Sequence, residues 1–99
     1  MAQRTRYLLA YDIRQPKRLR RVHRIATEFG YPLQYSLFVC DLTSPELIRM
    51  KAALCAAANL KTDSIAIFDL GRPDGRAVDC VEFLGHRPSL DGPPSAAVW

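Results

Sequence analysis

Cysteine, histidine and long apolar runs are scarce in this 99-residue chain. The three cysteines, Cys40, Cys55 and Cys80, are 15 and 25 residues apart, which fits neither a CxxC zinc site nor an even-numbered disulfide framework. Because Cys40 and Cys55 lie in apolar runs, we expect both to be buried reduced thiols. No segment reaches membrane-spanning length and no signal-peptide pattern is present, which predicts a cytoplasmic protein without a membrane partner.

Several common functional motifs are also missing. His23 and His86 have neither metal-ligand spacing nor a neighbouring nucleophile, so we expect structural or solvent-exposed roles for both. The chain has no glycine-rich phosphate loop and no aromatic signature of an RNA-recognition module. These absences remove the usual nucleotide-binding motifs from consideration.

Positive charge is concentrated at the N-terminal end. Residues 1–24 carry eight Arg or Lys and one Asp, whereas residues 25–99 carry six Arg or Lys and nine Asp or Glu. A basic end on a near-neutral body favours a polyanionic partner, and nucleic acid is the usual one. The alternative is a solvated helix face that only aids solubility, although such faces more often mix lysine with glutamate.

Most of these cations belong to one predicted helix, which starts with Pro16 in its first turn and stops at Gly30. Its apolar residues recur at helical spacing and form one stripe: Leu19, Val22, Ile25, Ala26 and Phe29. Four cations fall on roughly the opposite face: Lys17, Arg20, Arg21 and Arg24. Arg18 and His23 fall on the flanks. We predict that six cations bind phosphates without reading base sequence: Arg14, Lys17, Arg18, Arg20, Arg21 and Arg24.

The remaining pattern predicts an α+β fold. The first predicted strand, Tyr7–Asp12, is buried and central. Two short strands follow within Tyr31–Leu42, with a reversal near Ser36. Two further strands are predicted at Ser64–Leu70 and Val78–Leu84. A second helix begins after Thr43 or Ser44, turns Leu47, Met50, Leu54 and Ala57/Ala58 toward the core, and ends at a left-handed Asn59. This order is ferredoxin-like, β-α-β-β-α-β with an extra C-terminal strand and two helices on one face of an antiparallel sheet.

The other sheet face needs cover, and a second copy of the chain would supply it, so we predict a homodimer. We place the domain at residues 1–87 and a flexible Pro- and Ser-rich tail at residues 88–99.

Asp12 is the candidate catalytic and metal-binding residue, because it ends the first strand directly before the basic helix. One carboxylate holds magnesium poorly, but a two-fold axis near the strand end would bring two Asp12 side chains together on one cation. The alternative is a helix cap or a strand-end aspartate that makes a local hydrogen bond.

The chain resembles the small CRISPR-associated adaptation nucleases, the smaller of the two core proteins that insert new spacers. Segments that match in order are YDI at 11–13, KRLRRV at 17–22, QYSLFVCDL at 34–42, SIAIFDLG at 64–71 and VEFLG at 81–85. Together they cover about residues 6–86. Two departures are the basic Arg14-Gln15-Pro16 loop and Pro32, which stands where an arginine is common.

The resemblance implies a ferredoxin-like homodimer whose terminal strand packs onto the partner subunit. Asp12 would be the aspartate that binds Mg²⁺, or another divalent cation, at the dimer interface. Some members of the family cleave single-stranded RNA and others double-stranded DNA, with magnesium. The dimer also bridges two dimers of the larger CRISPR integrase and holds duplex DNA, and in some systems this role does not need the aspartate.

Three hypotheses follow. The first is a magnesium-dependent endonuclease in CRISPR adaptation, with Asp12 as its catalytic residue. The second is a non-catalytic scaffold that binds DNA and bridges integrase dimers. The third is a toxin-like ribonuclease of the same fold, which a neighbouring antitoxin gene would favour.

Overall fold

The computed structural model describes residues 3–86, in which a four-stranded sheet carries two helices on one face. The elements in chain order are β1 Thr5–Asp12, α1 Pro16–Phe29, β2 Tyr31–Gln34, β3 Leu37–Leu42, α2 Ser44–Ala57, β4 Ser64–Gly71 and a 3₁₀ turn at Arg76–Asp79. The predicted reversal near Ser36 is therefore confirmed. Arg87 and the proposed tail at 88–99 lie outside the described residues, so the domain boundary stays a prediction.

The sheet is antiparallel, with the order β2-β3-β1-β4. As predicted, β1 is central, and its Leu9 lies opposite Phe38 on β3 and Ile67 on β4. Two α-helices cross one face of this sheet, which confirms the ferredoxin-like α+β fold. No helix in residues 3–86 is both long and apolar enough to span a membrane.

The core lies between that face and the helices. It joins Leu9 and Phe38 from the sheet to Val22 of α1 and Met50 of α2, all fully buried. The predicted apolar stripes of both helices pack against this cluster. Cys40 is buried in it as expected.

The prediction for Cys55 is wrong, because this thiol is exposed. Cys55 follows the buried Leu54 by about 100° of helix rotation and so leaves the side of α2 that meets the sheet.

The helix ends follow from their caps. The Gln15 side chain caps α1, accepting a bond from the Arg18 amide at 2.7 Å. Gly30 ends α1 in extended backbone, and a Cβ atom there would overlap the carbonyl oxygen of Val39. Thr43, one of the two predicted caps of α2, forms a capping box with Glu46.

The predicted left-handed stop at Asn59 is wrong. α2 ends at Ala57, with Ala58 as its extended cap, and no non-glycine residue from 3 to 86 has a positive φ. The side chain of Asn59 instead accepts a bond from the Lys61 amide at 3.0 Å, which stabilises the turn after the helix.

The predicted strand at Val78–Leu84 is also wrong for this chain. Arg76–Asp79 form a 3₁₀ turn, and residues 80–86 contain no regular structure. Local backbone bonds close the turn, including the bond from the Val78 amide to the Gly75 carbonyl, and an amide bonded within the turn is not available to a sheet ladder. Residues 81–86 form a groove with Leu8, Leu33 and Leu37 on the sheet face away from the helices.

Candidate nucleic-acid interface and metal site

Asp12 is the last residue of β1 and lies opposite Ser64 of β4. Its neighbours Tyr11 and Ile13 are buried in the core, so the strand alternation directs Asp12 away from the helices, and its side chain is exposed. Within residues 3–86 it makes no side-chain hydrogen bond or ion pair. The helix-cap alternative does not hold, because the side chain of Gln15 caps α1.

The strand end that carries Asp12 is held by Tyr11. The Tyr11 hydroxyl lies 2.9 Å from Nδ1 of His23 on α1 and donates to the carbonyl of Tyr35 at 3.2 Å. The Tyr11 amide also donates to the carbonyl of Ser36 at 3.2 Å. Burial raises the pKa of the Tyr11 phenol well above its ordinary value, and the nearby Tyr35 adds to this rise. The phenol therefore stays neutral and can keep both contacts.

His23 has the structural role expected for it, although the sequence did not indicate its partners. Its ring stacks on Tyr35 with 4.8 Å between the ring centres and meets Phe38 edge-on at 5.4 Å. The only signal available beforehand was its position on the flank of the apolar stripe. The other histidine, His86, is exposed.

The predicted cationic face of α1 is confirmed as an exposed surface. Its four members form no ion pair with another residue in the described part of the chain, and they are Lys17, Arg20, Arg21 and Arg24. Arg14 is exposed in the short connection between Asp12 and the helix. Unpaired guanidinium groups on a rigid helix suit phosphate oxygens in any base sequence.

Arg18 differs from these residues, because it forms an ion pair with Asp63 of the same chain. Its Nε donates to Oδ2 of Asp63 at 2.8 Å and its Nη2 donates to Oδ1 at 3.3 Å. The Asp63 side chain is only 2% exposed. The Arg18 hydrogen bond, followed by one from the Asn59 amide, holds the pKa of Asp63 below its usual value.

Residues 3–86 of one chain do not form a complete metal site. No group of three His, Cys, Asp or Glu within residues 3–86 is placed to hold an ion. The exposed and unpartnered carboxylate of Asp12 fits a magnesium ion that keeps several waters and takes one or two carboxylates. In the homodimer predicted from the sequence, the second carboxylate would be Asp12 of the other copy.

The model of the family "CRISPR associated protein Cas2" matches residues 5–77. The chain belongs to this family. It is 38% identical over 80 residues to the CRISPR-associated endoribonuclease Cas2 1 of Rhodospirillum rubrum, covering 80% of this chain and 76% of the relative. It is 32% identical over 89 residues to the CRISPR-associated endonuclease Cas2 of Halalkalibacterium halodurans, covering 85% and 90%.

A solved Cas2 structure agrees with this assignment. The crystal structure of Streptococcus pyogenes Cas2 at pH 6.5 superimposes with a TM-score of 0.69 at 34% identity, covering 81% of this chain and 99% of that one. The resemblance inferred from the YDI and SIAIFDLG segments is thereby confirmed. Within a Cas2 frame, the YDI segment places Asp12 at the strand end beside the start of the basic helix.

Proposed function

We propose that this Cas2 family member is a divalent-cation-dependent endonuclease that acts in CRISPR adaptation. The observation that carries the proposal is an exposed Asp12 carboxylate without a partner in residues 3–86, three residues before the cap of a helix that carries four exposed cations without an ion pair in the same residues. Relatives named endoribonuclease and endonuclease support the same chemistry. The substrate is a phosphodiester in single-stranded RNA, double-stranded DNA or both.

The unit that acts is a homodimer in which the two Asp12 carboxylates share one cation, preferably Mg²⁺. Apolar side chains that remain exposed support a second copy, among them Phe68 at 50% and Leu84 at 92% exposure. Phe68 pairs with Leu8 on the sheet face away from the helices, where residues 81–86 also lie. The opposed face of a second chain would bury these groups and complete the metal site.

Each residue type has a separate task in this mechanism. The exposed arginines of α1 would hold phosphates of the nucleic acid. Asp12 holds the cation, and Tyr11 fixes the strand end on which Asp12 lies. When bound, the cation activates a water and stabilises negative charge on the phosphate.

The test is a cleavage assay on single-stranded RNA and duplex DNA with Mg²⁺, comparing the wild type with Asp12→Asn. We expect Asp12→Asn to abolish cleavage and to leave duplex binding intact. Asp79→Asn is the matched control, because Asp79 is also exposed and its side chain makes no bond within residues 3–86. Cleavage that persists in Asp12→Asn at the wild-type rate would contradict the proposal.

A second candidate is a non-catalytic scaffold that binds duplex DNA and bridges two integrase dimers. The observation that favours it is that residues 3–86 contain no cluster of three metal ligands, whereas α1 carries four exposed cations without an ion pair in the same residues. A wild type that binds duplex and integrase but cleaves no nucleic acid would support the scaffold.

A further inference from the structure

Arg18 is the one cation of the basic segment 14–24 that forms an ion pair within the described residues. Its two bonds to Asp63 use both carboxylate oxygens, which is the geometry of a strong bidentate pair. The other five cations of that segment are exposed, as described above. Position on the helix alone does not explain this difference, because the partner is 45 residues away in sequence.

The pair lies where three elements converge near Asp12. Asp63 directly precedes Ser64, and Ser64 is the residue opposite Asp12 in the β1–β4 register. The backbone amide of Arg18 donates to the Gln15 side chain that caps α1, so the backbone of Arg18 is held as well as its guanidinium group. Arg18 thus connects the first turn of α1 to the beginning of β4.

Asp63 is itself fixed from the other side. Its Oδ2 accepts a bond from the Asn59 amide at 2.8 Å, and its own amide donates to the Asn59 carbonyl at 2.7 Å. If Arg18 turned away toward a phosphate, the Asp63 carboxylate would lose both of its bonds to the guanidinium group. Because a bidentate, charge-assisted pair of this kind is stronger than a single hydrogen bond, Arg18 is a poor candidate for a mobile phosphate ligand.

We propose that Arg18 and Asp63 are a positioning pair that sets the cationic face of α1 relative to Asp12, and that Arg18 does not contact phosphate. This inference rests on the proposed function, because it concerns how the binding face and the carboxylate are aligned. It also removes Arg18 from the six cations expected to bind nucleic acid.

The salt dependence of binding separates the two roles. Each lost phosphate contact lowers the slope of log affinity against log salt by roughly one. Arg18→Gln should therefore leave the slope at its wild-type value, whereas the matched variant Arg20→Gln should lower it by about one. Asp63→Asn keeps one oxygen that can accept from the Asn59 amide, but it removes the charge and replaces the second acceptor by an NH2 donor, which breaks the bidentate pair. If Arg18 does not contact phosphate, this change should not strengthen binding.

Turnover supplies the second readout. Arg18→Gln and Asp63→Asn should each lower kcat on saturating substrate by roughly 10- to 100-fold, because small misplacements of reacting groups have effects of this size. The double variant should be no slower than the slower single variant, since both changes remove the same pair. Arg18→Lys should recover part of the loss, and circular dichroism at the assay temperature verifies that every variant is folded.

Two results would overturn the inference. One is a salt slope that falls in Arg18→Gln as it does in Arg20→Gln. The other is tighter binding by Asp63→Asn, which would mean that Asp63 restrains a phosphate-binding arginine. If the wild type binds nucleic acid but cleaves none, the nuclease proposal fails separately, and the slopes still decide whether Arg18 contacts phosphate.

Discussion

The Tyr11 hydroxyl lies 2.9 Å from Nδ1 of His23, which joins the central strand to the basic helix directly beside Asp12. Tyr11 also bonds to the carbonyl of Tyr35 in the turn between β2 and β3. Three separate parts of the chain therefore meet at one phenol. The position of the candidate metal ligand depends on this junction, although Tyr11 itself faces the core.

Removing the Tyr11 hydroxyl should destabilise the fold. Tyr11→Phe keeps the ring in the core but removes the contact with Nδ1 of His23 and the bond to the Tyr35 carbonyl, so we expect a loss of about 1 kcal/mol in unfolding free energy. Urea denaturation measures it. Tyr31→Phe is the control, because the Tyr31 hydroxyl makes no hydrogen bond within residues 3–86, and its change should stay below about 0.5 kcal/mol. Equal losses in the two variants would contradict the role of the junction.

The cationic face of α1 should account for the salt dependence of binding. Replacing Arg20, Arg21 and Arg24 together by alanine should weaken duplex binding and lower the salt slope by roughly three. The slope is measured by titration at several salt concentrations. Arg49→Ala combined with Lys51→Ala removes exposed cations from α2 and should leave the slope unchanged. An unchanged slope in the α1 variant would refute the predicted interface.

Acid should weaken the start of α2 through Glu46. Oε1 of Glu46 accepts a bond from the Thr43 amide at 2.8 Å and another from Nη1 of Arg4 at 2.6 Å. The Thr43 bond is the main reason that the pKa of Glu46 lies below its usual value. Because the folded pKa is lower than the unfolded one, Glu46 stabilises the fold above the unfolded pKa, and this contribution disappears as the pH falls through the folded pKa.

We therefore expect Glu46→Gln to be less stable than the wild type at pH 7, with the difference closing at acid pH. Urea denaturation over a pH series measures both. Glu28→Gln is the control, because the exposed Glu28 side chain makes no bond within residues 3–86. A difference that widens as the pH falls would show that the sign of the effect is wrong.

The thiols should differ sharply in reactivity. Burial raises the pKa of Cys40 to about 12, and Asp41 adds to the rise. Cys55 and Cys80 are exposed. In the native protein, iodoacetamide should modify Cys55 and Cys80 readily, because only an exposed thiolate reacts fast. The labelling rate of Cys40 should be lower by a factor of roughly 100 or more. Peptide mass spectrometry measures the three rates, and rapid native labelling of Cys40 would contradict its burial.

Local pattern was enough to predict most of the architecture. The 3.6-residue period of α1 separates its apolar stripe from its cations, because side-chain direction along a helix depends only on position. The apolar run before Asp12 predicted a central strand for a similar reason, since a strand buried on both faces has no polar alternation. At the end of this strand, successive side chains point to opposite faces of the sheet, so Asp12 is exposed between the buried Tyr11 and Ile13.

Partners that are distant in sequence were decided only by the tertiary structure. Asp63 meets Arg18 because the sheet order puts the beginning of β4 beside the end of β1, near the first turn of α1. His23 meets Tyr11 and Tyr35 for the same kind of reason. Helical periodicity alone cannot distinguish a paired arginine from a free one.

The C-terminal part of the described chain also shows the difference between what local sequence predicts and what the tertiary structure decides. A β-forming composition at Val78–Leu84 predicted a strand, but the chain forms a 3₁₀ turn at Arg76–Asp79, and the Val78 amide bonds to Gly75 within that turn and not to a neighbouring strand. The sequence by itself therefore determined the helices, the four paired strands and the exposed acidic strand end. The packing of those elements decided which charges are neutralised and which stay available to a ligand, because that choice depends on distances between segments far apart in the chain.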